Sequence, residues 1–175
     1  MDVAGVLHHM ADPLAGWRVL LSLVRPGGFM RVALYSTLAR RHIAAARRLI
    51  ATEGWPGTPE GIRAARQAIC SLAEGAPERR AAMIPDFFTL SECRDLLFHV
   101  QEHTFDLAAI SAFLPDNGLE FIGFDVDADV AHRYLQRFPD NASRTDLDNW
   151  HTFERENPDT FIGMYQLWIQ KRLTT

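Results

Sequence analysis

The amino-acid sequence predicts an α/β fold, in which a sheet of about four strands is combined with a helical insertion. Three observations lead to this prediction. A strand, a helix and a second strand follow one another through short connections over residues 3–35. Helical patterns then fill the middle of the chain, and strand patterns return from residue 119 onward. The length of 175 residues suits a single domain.

The composition is that of a globular protein without a strong electrostatic bias. Hydrophobic residues make up 47% of the chain, charged residues make up 23%, and the formal net charge is −4. A negative net charge argues against broad electrostatic binding of nucleic acid. No apolar run approaches the roughly 20 residues of a membrane span, and residues 1–10 lack the basic start of a signal peptide. Cys70 and Cys93 lack CxxC spacing and are predicted to be free thiols, so we expect a cytoplasmic location.

The amino-terminal residues predict a β-α-β unit. Val3–Leu7 is an apolar run typical of a buried strand. Asp12 is placed to cap a helix that has Pro13 at its first position, and residues 25–28 (RPGG) end that helix. Residues 29–35 predict the next strand. The two strands should therefore be parallel, with a right-handed crossover between them.

The middle of the chain is predicted to be helical. Alanine- and arginine-rich residues 39–52 predict one helix, and a second runs over residues 58–73. A capping box formed by Thr89 and Glu92 opens another helix, and a further helix is predicted over residues 106–114. Four arginines are interpreted as a solvated helix face, with contact to an anionic substrate as the alternative: Arg40, Arg41, Arg47 and Arg48.

The carboxyl-terminal part returns to strands. Residues 119–126 and 161–170 predict two strands, separated by helices over residues 128–138 and 144–156. Five aromatic residues are predicted to lie in the core: Trp17, Phe121, Phe124, Phe161 and Trp168. Four acidic residues are interpreted as a solvated helix face: Asp146, Asp148, Glu154 and Glu156.

The stretch DVAGVLHHMADPLAGWRVLLSLVRPGGFMRVALYS resembles the second half of class I S-adenosylmethionine-dependent methyltransferases. In that family the fourth strand ends in a VLHH loop, and a helix and an LxPGG turn then lead into the fifth strand. Here the loop is Val6–His9, the turn lies at residues 24–28, and Tyr35 ends the strand. GLEFIGFD and FIGMYQLWIQK resemble the last two strands of the family. SECRDLLFHVQEHTFDLAAISAFL resembles the substrate-side insertion of a bacterial subfamily often fused to tetratricopeptide repeats.

The resemblance implies a partial Rossmann-like methyltransferase sheet whose last strand is antiparallel. It divides the chain into a core over residues 1–38, a substrate-side insertion over residues 39–117 and a strand pair with helices over residues 118–175. The family begins with a GxGxG turn that holds the cofactor, and no such turn occurs here. We therefore expect this truncated domain to form one side of the cofactor crevice and to bind S-adenosylmethionine weakly or not at all alone. The Val3–Leu7 strand would then be an open sheet edge, which predicts a dimer or a partner chain.

The resemblance also implies site residues near the first strand. Val6, Leu7 and His8 are expected beside the cofactor. His8 and His9 are candidate general bases, because an imidazole with an unperturbed pKa near 6.5 can accept the acceptor's proton. The alternative is that both histidines cap the loop and help the next helix to dock.

Further candidates are expected on the substrate side of the crevice. They are Tyr35 and Ser36, at the end of the second strand, and His99, Glu102 and His103 in the insertion. The last three residues also form an HxxEH pattern, which on one helix face would indicate a zinc protease. No third zinc ligand is evident, so no metal site is predicted and a structural role stays the alternative.

The function implied by the resemblance is methyl transfer from S-adenosylmethionine to an unidentified small-molecule or protein acceptor. An alternative of another class is a non-catalytic remnant or accessory subunit that pairs with another chain. Calorimetric titration with S-adenosylhomocysteine separates the two, because only the first requires the chain to bind the cofactor product.

Overall fold

A computed structural model describes residues 1–173 and divides them into two compact units. The first, which we call the sheet unit, contains residues 1–39 and 101–173. The second, the helical unit, contains residues 40–100. Each unit has its own cluster of buried hydrophobic side chains.

The sheet unit contains a four-stranded mixed sheet. Its strands are β1 (Asp2–Val3), β2 (Phe29–Leu34), β3 (Leu119–Phe124) and β4 (Tyr165–Lys171). The strand order is β1-β2-β4-β3, with β1 parallel to β2 and β4 antiparallel to both of its neighbours. The predicted α/β fold, the parallel first pair and the antiparallel last strand are confirmed.

Seven α-helices lie among the described residues. They are α1 (Pro13–Ser22), α2 (Arg41–Glu53), α3 (Pro59–Ser71), α4 (Leu90–Phe98), α5 (Leu107–Asp116), α6 (Ala128–Arg137) and α7 (Leu147–Glu156). The predicted caps are present: Asp12 Oδ1 accepts a hydrogen bond from the Ala15 amide at 2.9 Å, and Thr89 Oγ1 accepts one from the Glu92 amide at 3.1 Å. Short 3₁₀ turns lie at Leu7–His9, Glu78–Met83 and Pro85–Phe88. No helix within residues 1–173 is long and apolar enough to cross a membrane.

The first strand is shorter than predicted. The expected edge strand Val3–Leu7 is present only as Asp2–Val3, because Gly5 has a φ of +72° that takes the chain out of the extended conformation. The residues that follow form the 3₁₀ turn Leu7–His9. Similarly, β4 begins at Tyr165 and not at Phe161. The VLHH loop is therefore a compact turn between β1 and α1.

One face of the sheet is covered by the hydrophobic core of the sheet unit. Trp17 stacks on Phe113 with ring centroids 4.5 Å apart, and Phe121, Phe124 and Phe161 are buried as predicted. The core prediction for Trp168 is wrong, since this side chain is 41% exposed. It points to the opposite face of β4 from its buried neighbours Leu167 and Ile169.

The helical unit packs its own core with α2, α3 and α4. The solvated-face interpretation of its arginine cluster is wrong for Arg40, which is buried, and for Arg47, whose guanidinium donates to the Leu96 carbonyl. Arg48 is exposed as expected. Both cysteines are free thiols, as predicted; Cys70 is exposed and Cys93 is buried.

Candidate functional site

Several of the residues implied by the resemblance meet just beyond the carboxyl ends of β1 and β2. The His8 ring lies 4.3 Å from the Tyr35 ring and 4.3 Å from the His9 ring, measured between centroids. We call these three residues the strand-end cluster. In open α/β sheets, ligands bind outside the carboxyl ends of the parallel strands. The cluster therefore lies on the side of the sheet where such folds bind ligands, and it is a candidate site.

The segment over residues 101–105 is bonded to the strand-end cluster through the backbone. The His103 amide donates to the His8 carbonyl at 2.8 Å, and the Phe105 amide donates to the Tyr35 carbonyl at 2.8 Å. His9 Nδ1 lies 3.3 Å from the Gln101 carbonyl oxygen, within hydrogen-bond distance. Two of the predicted substrate-side residues, Glu102 and His103, thus belong to a segment fixed beside the cluster.

Exposure differs sharply among the residues expected beside the cofactor. Leu7 and His8 are each 1% exposed, and Leu7 belongs to the hydrophobic core. Val6 is 51% exposed, and His9 and Tyr35 are partly exposed. A ligand at the ends of β1 and β2 therefore finds accessible surface at Val6, His9 and Tyr35. The cofactor and catalytic roles of Val6, Leu7, His8 and His9 stay predictions.

The histidine pair of the HxxEH pattern does not lie on one helix. Helix α4 ends at Phe98, His99 is its C-cap, and the residues after it are not helical. The premise of the zinc-protease alternative is therefore wrong. His99 lies in the helical unit, whereas Glu102 and His103 lie in the sheet unit. Within residues 1–173 no group of three histidine, cysteine or acidic side chains is arranged to hold a metal ion.

A buried carboxylate lies behind the strand-end cluster. Glu154, on α7, accepts hydrogen bonds from the Ser36 hydroxyl at 2.5 Å and from the Tyr165 hydroxyl at 2.6 Å. Its exposed fraction is 2%, and Ser36 and Tyr165 are fully buried. The solvated-face interpretation of Glu154 is therefore wrong, although Asp146, Asp148 and Glu156 are exposed as expected.

The sequence contains a signal that would have identified Glu154. Residues three and four positions apart share a helix face, and Glu154 follows Trp150 by four positions. Trp150 and Phe153, which directly precedes Glu154, are both buried, so the helix face that carries Glu154 is turned toward the core. A lone acid on an apolar helix face indicates a buried, hydrogen-bonded carboxylate.

The burial of this carboxylate changes its acid–base properties. Removal from solvent raises the pKa of Glu154, while the hydrogen bonds from Ser36 and Tyr165 and the nearby His151 lower it in part. Burial also raises the pKa of the Tyr165 hydroxyl well above its ordinary range, and the neighbouring Glu154 adds to that shift. Tyr165 is thus a hydrogen-bond donor throughout the physiological pH range.

Comparison with known proteins shows which fold this arrangement belongs to. No protein-family model matches the chain. The structure is similar to that of PKMT2 from Rickettsia typhi, with a TM-score of 0.68 and 13% sequence identity over 96% of this chain and 34% of that chain. The structure of the same protein in complex with AdoHcy gives a TM-score of 0.67 and 11% identity, over 99% of this chain and 35% of that one. The chain therefore has a methyltransferase-like fold.

A curated relative of the chain has no described function. The uncharacterized protein syc1184_c of Synechococcus sp. is 27% identical over 132 residues, which cover 71% of this chain and 31% of that protein. The chain thus spans about a third of the length of the proteins it matches.

Proposed function

We propose that the sheet unit forms the acceptor side of an S-adenosylmethionine-dependent methyltransferase site. The observation that supports this most directly is the strand-end cluster, which lies at the carboxyl ends of parallel strands in a methyltransferase-like fold. The similar PKMT2 structure in complex with AdoHcy supports the choice of cofactor. The acceptor is a small molecule or a protein side chain that carries a nucleophilic atom.

The residues of this chain fit one side of the cofactor. Val6 offers a half-exposed apolar surface three residues after the end of β1, and its carbonyl accepts from the amide of the partly exposed His9. No GxGxG turn occurs in the sequence, so this chain provides no glycine-rich backbone cradle for the methionine part. We therefore expect cofactor binding by this chain alone to be weak, and tight binding to need protein groups from elsewhere.

Methyl transfer to a hydroxyl or amine involves three changes at the reacting atoms. The acceptor atom attacks the methyl carbon in line, the bond from carbon to the sulfonium sulfur breaks, and the acceptor's proton is taken up by a base. S-adenosylmethionine, when bound, supplies the methyl group and leaves as the neutral thioether. The chain's own part is to orient the acceptor and receive its proton.

His9 is the more accessible of the two candidate bases. If its Nδ1–H donates to the Gln101 carbonyl, the lone pair is on Nε2, which is the form that a general base requires. His8 is almost fully buried and contacts the Tyr35 ring, so its role in this proposal is to position the aromatic surface of the cluster.

Ligand-detected NMR with S-adenosylhomocysteine tests the cofactor site even if binding is weak. We expect saturation transfer from the wild-type chain to the ligand at millimolar concentration, and its loss in Val6→Asp. Val19→Asp is the matched control, because Val19 is a 64% exposed valine in the last turn of α1, six residues after the start of that helix. The absence of transfer from the wild-type chain, or equal transfer in Val6→Asp, would count against the site.

A second candidate function is an accessory or remnant chain without activity of its own. The missing GxGxG turn favours it, because the turn supplies much of the contact to the cofactor in the family that the sequence resembles. In that case another chain would pair with the open edge of β1, which has β2 on one side and no strand on the other among the described residues. Such a chain would show no ligand signal in the experiment above.

A further inference from the structure

We propose that Glu154 is a positioning residue, which fixes the end of β2 through Ser36 and thereby places Tyr35 and His8 in the strand-end cluster. The catalytic meaning of this inference rests on the proposed function. Its structural part concerns the described residues alone and is tested without any cofactor.

The Glu154 carboxylate connects two neighbouring strands at the same end of the sheet. One oxygen accepts from Ser36, two residues after the end of β2, and the other accepts from Tyr165, the first residue of β4. Tyr165 is the antiparallel partner of Leu34, the last residue of β2, and Ser36 lies two residues beyond Leu34. Helix α7 thus binds both strands where the site begins.

Ser36 is fixed on more than one side by hydrogen bonds. Its hydroxyl donates to Glu154 and accepts from the Ala39 amide at 3.0 Å. Its backbone forms a parallel bridge with Phe105, since the amides of Phe105 and Thr37 donate to the carbonyls of Tyr35 and Phe105. These bonds fix the direction in which the chain leaves β2. Tyr35, which directly precedes Ser36, is thereby placed with its ring against His8.

The hydrogen-bond arrangement requires a charged carboxylate. A carboxylate accepts from both hydroxyls, whereas a protonated acid must donate through one oxygen and displace or reverse one of these bonds. The groups facing Glu154 are Ser36 and Tyr165, His151 on its own helix, and Asp106 at the start of α5. Protonation of Glu154 should therefore shift the end of β2, and a bond with a purely stabilising role would not transmit such a change to Tyr35.

Heteronuclear NMR of the whole chain as a function of pH tests this coupling. In the wild type we expect the chemical shifts of the Ser36 amide and the Tyr35 ring to change together in one titration step. The midpoint pH of this step should lie above the ordinary pKa of a glutamate side chain. Glu154→Gln keeps the side-chain shape and should abolish this step. Glu156→Gln is the matched control, because Glu156 is an exposed acid of the same helix that pairs with Arg137 at 3.0 Å.

Two results would overturn the proposal. One is a Tyr35 step that persists in Glu154→Gln, and the other is a wild-type titration that moves α7 and β4 signals but leaves Ser36 and Tyr35 unchanged. If Glu154→Gln does not fold, Ser36→Ala decides the matter. In that variant the Glu154 carboxyl carbon should still titrate while the Tyr35 step is lost, and a retained Tyr35 step refutes the proposal.

The outcome is independent of cofactor binding. A wild-type chain that gives no signal with S-adenosylhomocysteine removes the proposed function, yet the Tyr35 step can still be present. Conversely, ligand binding without a Tyr35 step supports the site and removes the role proposed for Glu154.

Discussion

Replacing Ser36 by alanine is expected to lower the free energy of unfolding by about 3 kcal/mol. The substitution deletes one hydroxyl that makes two hydrogen bonds inside the protein. The amide of the buried Ala39 loses its side-chain acceptor, at a cost of about 1–3 kcal/mol for an unsatisfied buried group. Glu154 keeps only the Tyr165 hydroxyl, and a hydrogen bond to a charged group contributes about 1.5–3 kcal/mol.

Urea unfolding followed by tryptophan fluorescence measures this loss. The matched control is Ser143→Ala, because Ser143 is exposed and its hydroxyl bonds to Asn141 and Thr145 in the same loop. We expect the control to stay within about 0.5 kcal/mol of the wild type. A Ser36→Ala variant as stable as this control would show that the buried network contributes nothing, and the reasoning about Glu154 would fail with it.

The same network predicts a pH dependence with a definite sign. Burial raises the pKa of Glu154 in the folded protein above its ordinary value of 4.5, so the folded state holds this proton more tightly than the unfolded state. The stability that this proton contributes is complete below pH 4.5 and is lost as the pH rises through the folded pKa. Glu154→Gln cannot bind this proton and therefore lacks this pH-dependent contribution to the free energy of unfolding.

The free energy of unfolding of the wild type, relative to that of Glu154→Gln, should therefore be greatest at the acidic end of the pH range. Urea unfolding of both proteins at a series of pH values gives the difference directly, with a slope of at most about 1.4 kcal/mol per pH unit. A difference that is constant, or that grows in favour of the wild type as the pH rises, contradicts the assignment.

Three further predictions concern exposure. A thiol reagent should label Cys70 in the folded protein and reach Cys93 only after unfolding, because Cys93 is fully buried and burial raises its pKa. Labelling of Cys93 in the folded protein, detected by mass spectrometry, would contradict this. Trp168→Thr should cost less than about 1 kcal/mol, whereas Trp150→Ala, at a fully buried position, should cost about 3–5 kcal/mol in urea unfolding. Light scattering should show a dimer or larger species through the open edge of β1, and a monomer would refute pairing at that edge.

The parts of the fold that the sequence predicted correctly are those set by local chemistry. Asp12 and Pro13 mark the start of α1 through a side-chain bond and a fixed φ, both of which depend only on neighbouring residues. Gly5 shows the limit of this reasoning, because its left-handed φ ends β1 inside a run that has a strand-like pattern. Trp168 shows another limit, since its aromatic side chain predicts a core position but lies on the face of β4 opposite to the buried Leu167 and Ile169.

The candidate site was harder to predict because its bonds join distant parts of the chain. The bonds from residues 101–105 to His8 and Tyr35 are made by the backbone, whose amides look the same in every sequence. The acidic residues near Glu154 in the sequence indicate a solvated face, whereas Trp150, on the same helix face as Glu154, indicates the buried one. A charge pattern read along the chain describes the solvated side of a helix well and its buried side poorly.

The strand-end cluster and the cofactor contacts place different demands on the protein. His8, Tyr35 and the segment over residues 101–105 are fixed by bonds within the sheet unit, and such preorganisation is what the acceptor side of a transfer reaction needs. In the family that the sequence resembles, affinity for S-adenosylmethionine depends on a glycine-rich turn, and this sequence contains no such turn. The two properties should therefore separate in experiment: Val6→Asp should remove ligand contact and leave the Tyr35 titration intact. Glu154→Gln should remove the Tyr35 titration and leave the ligand contact intact.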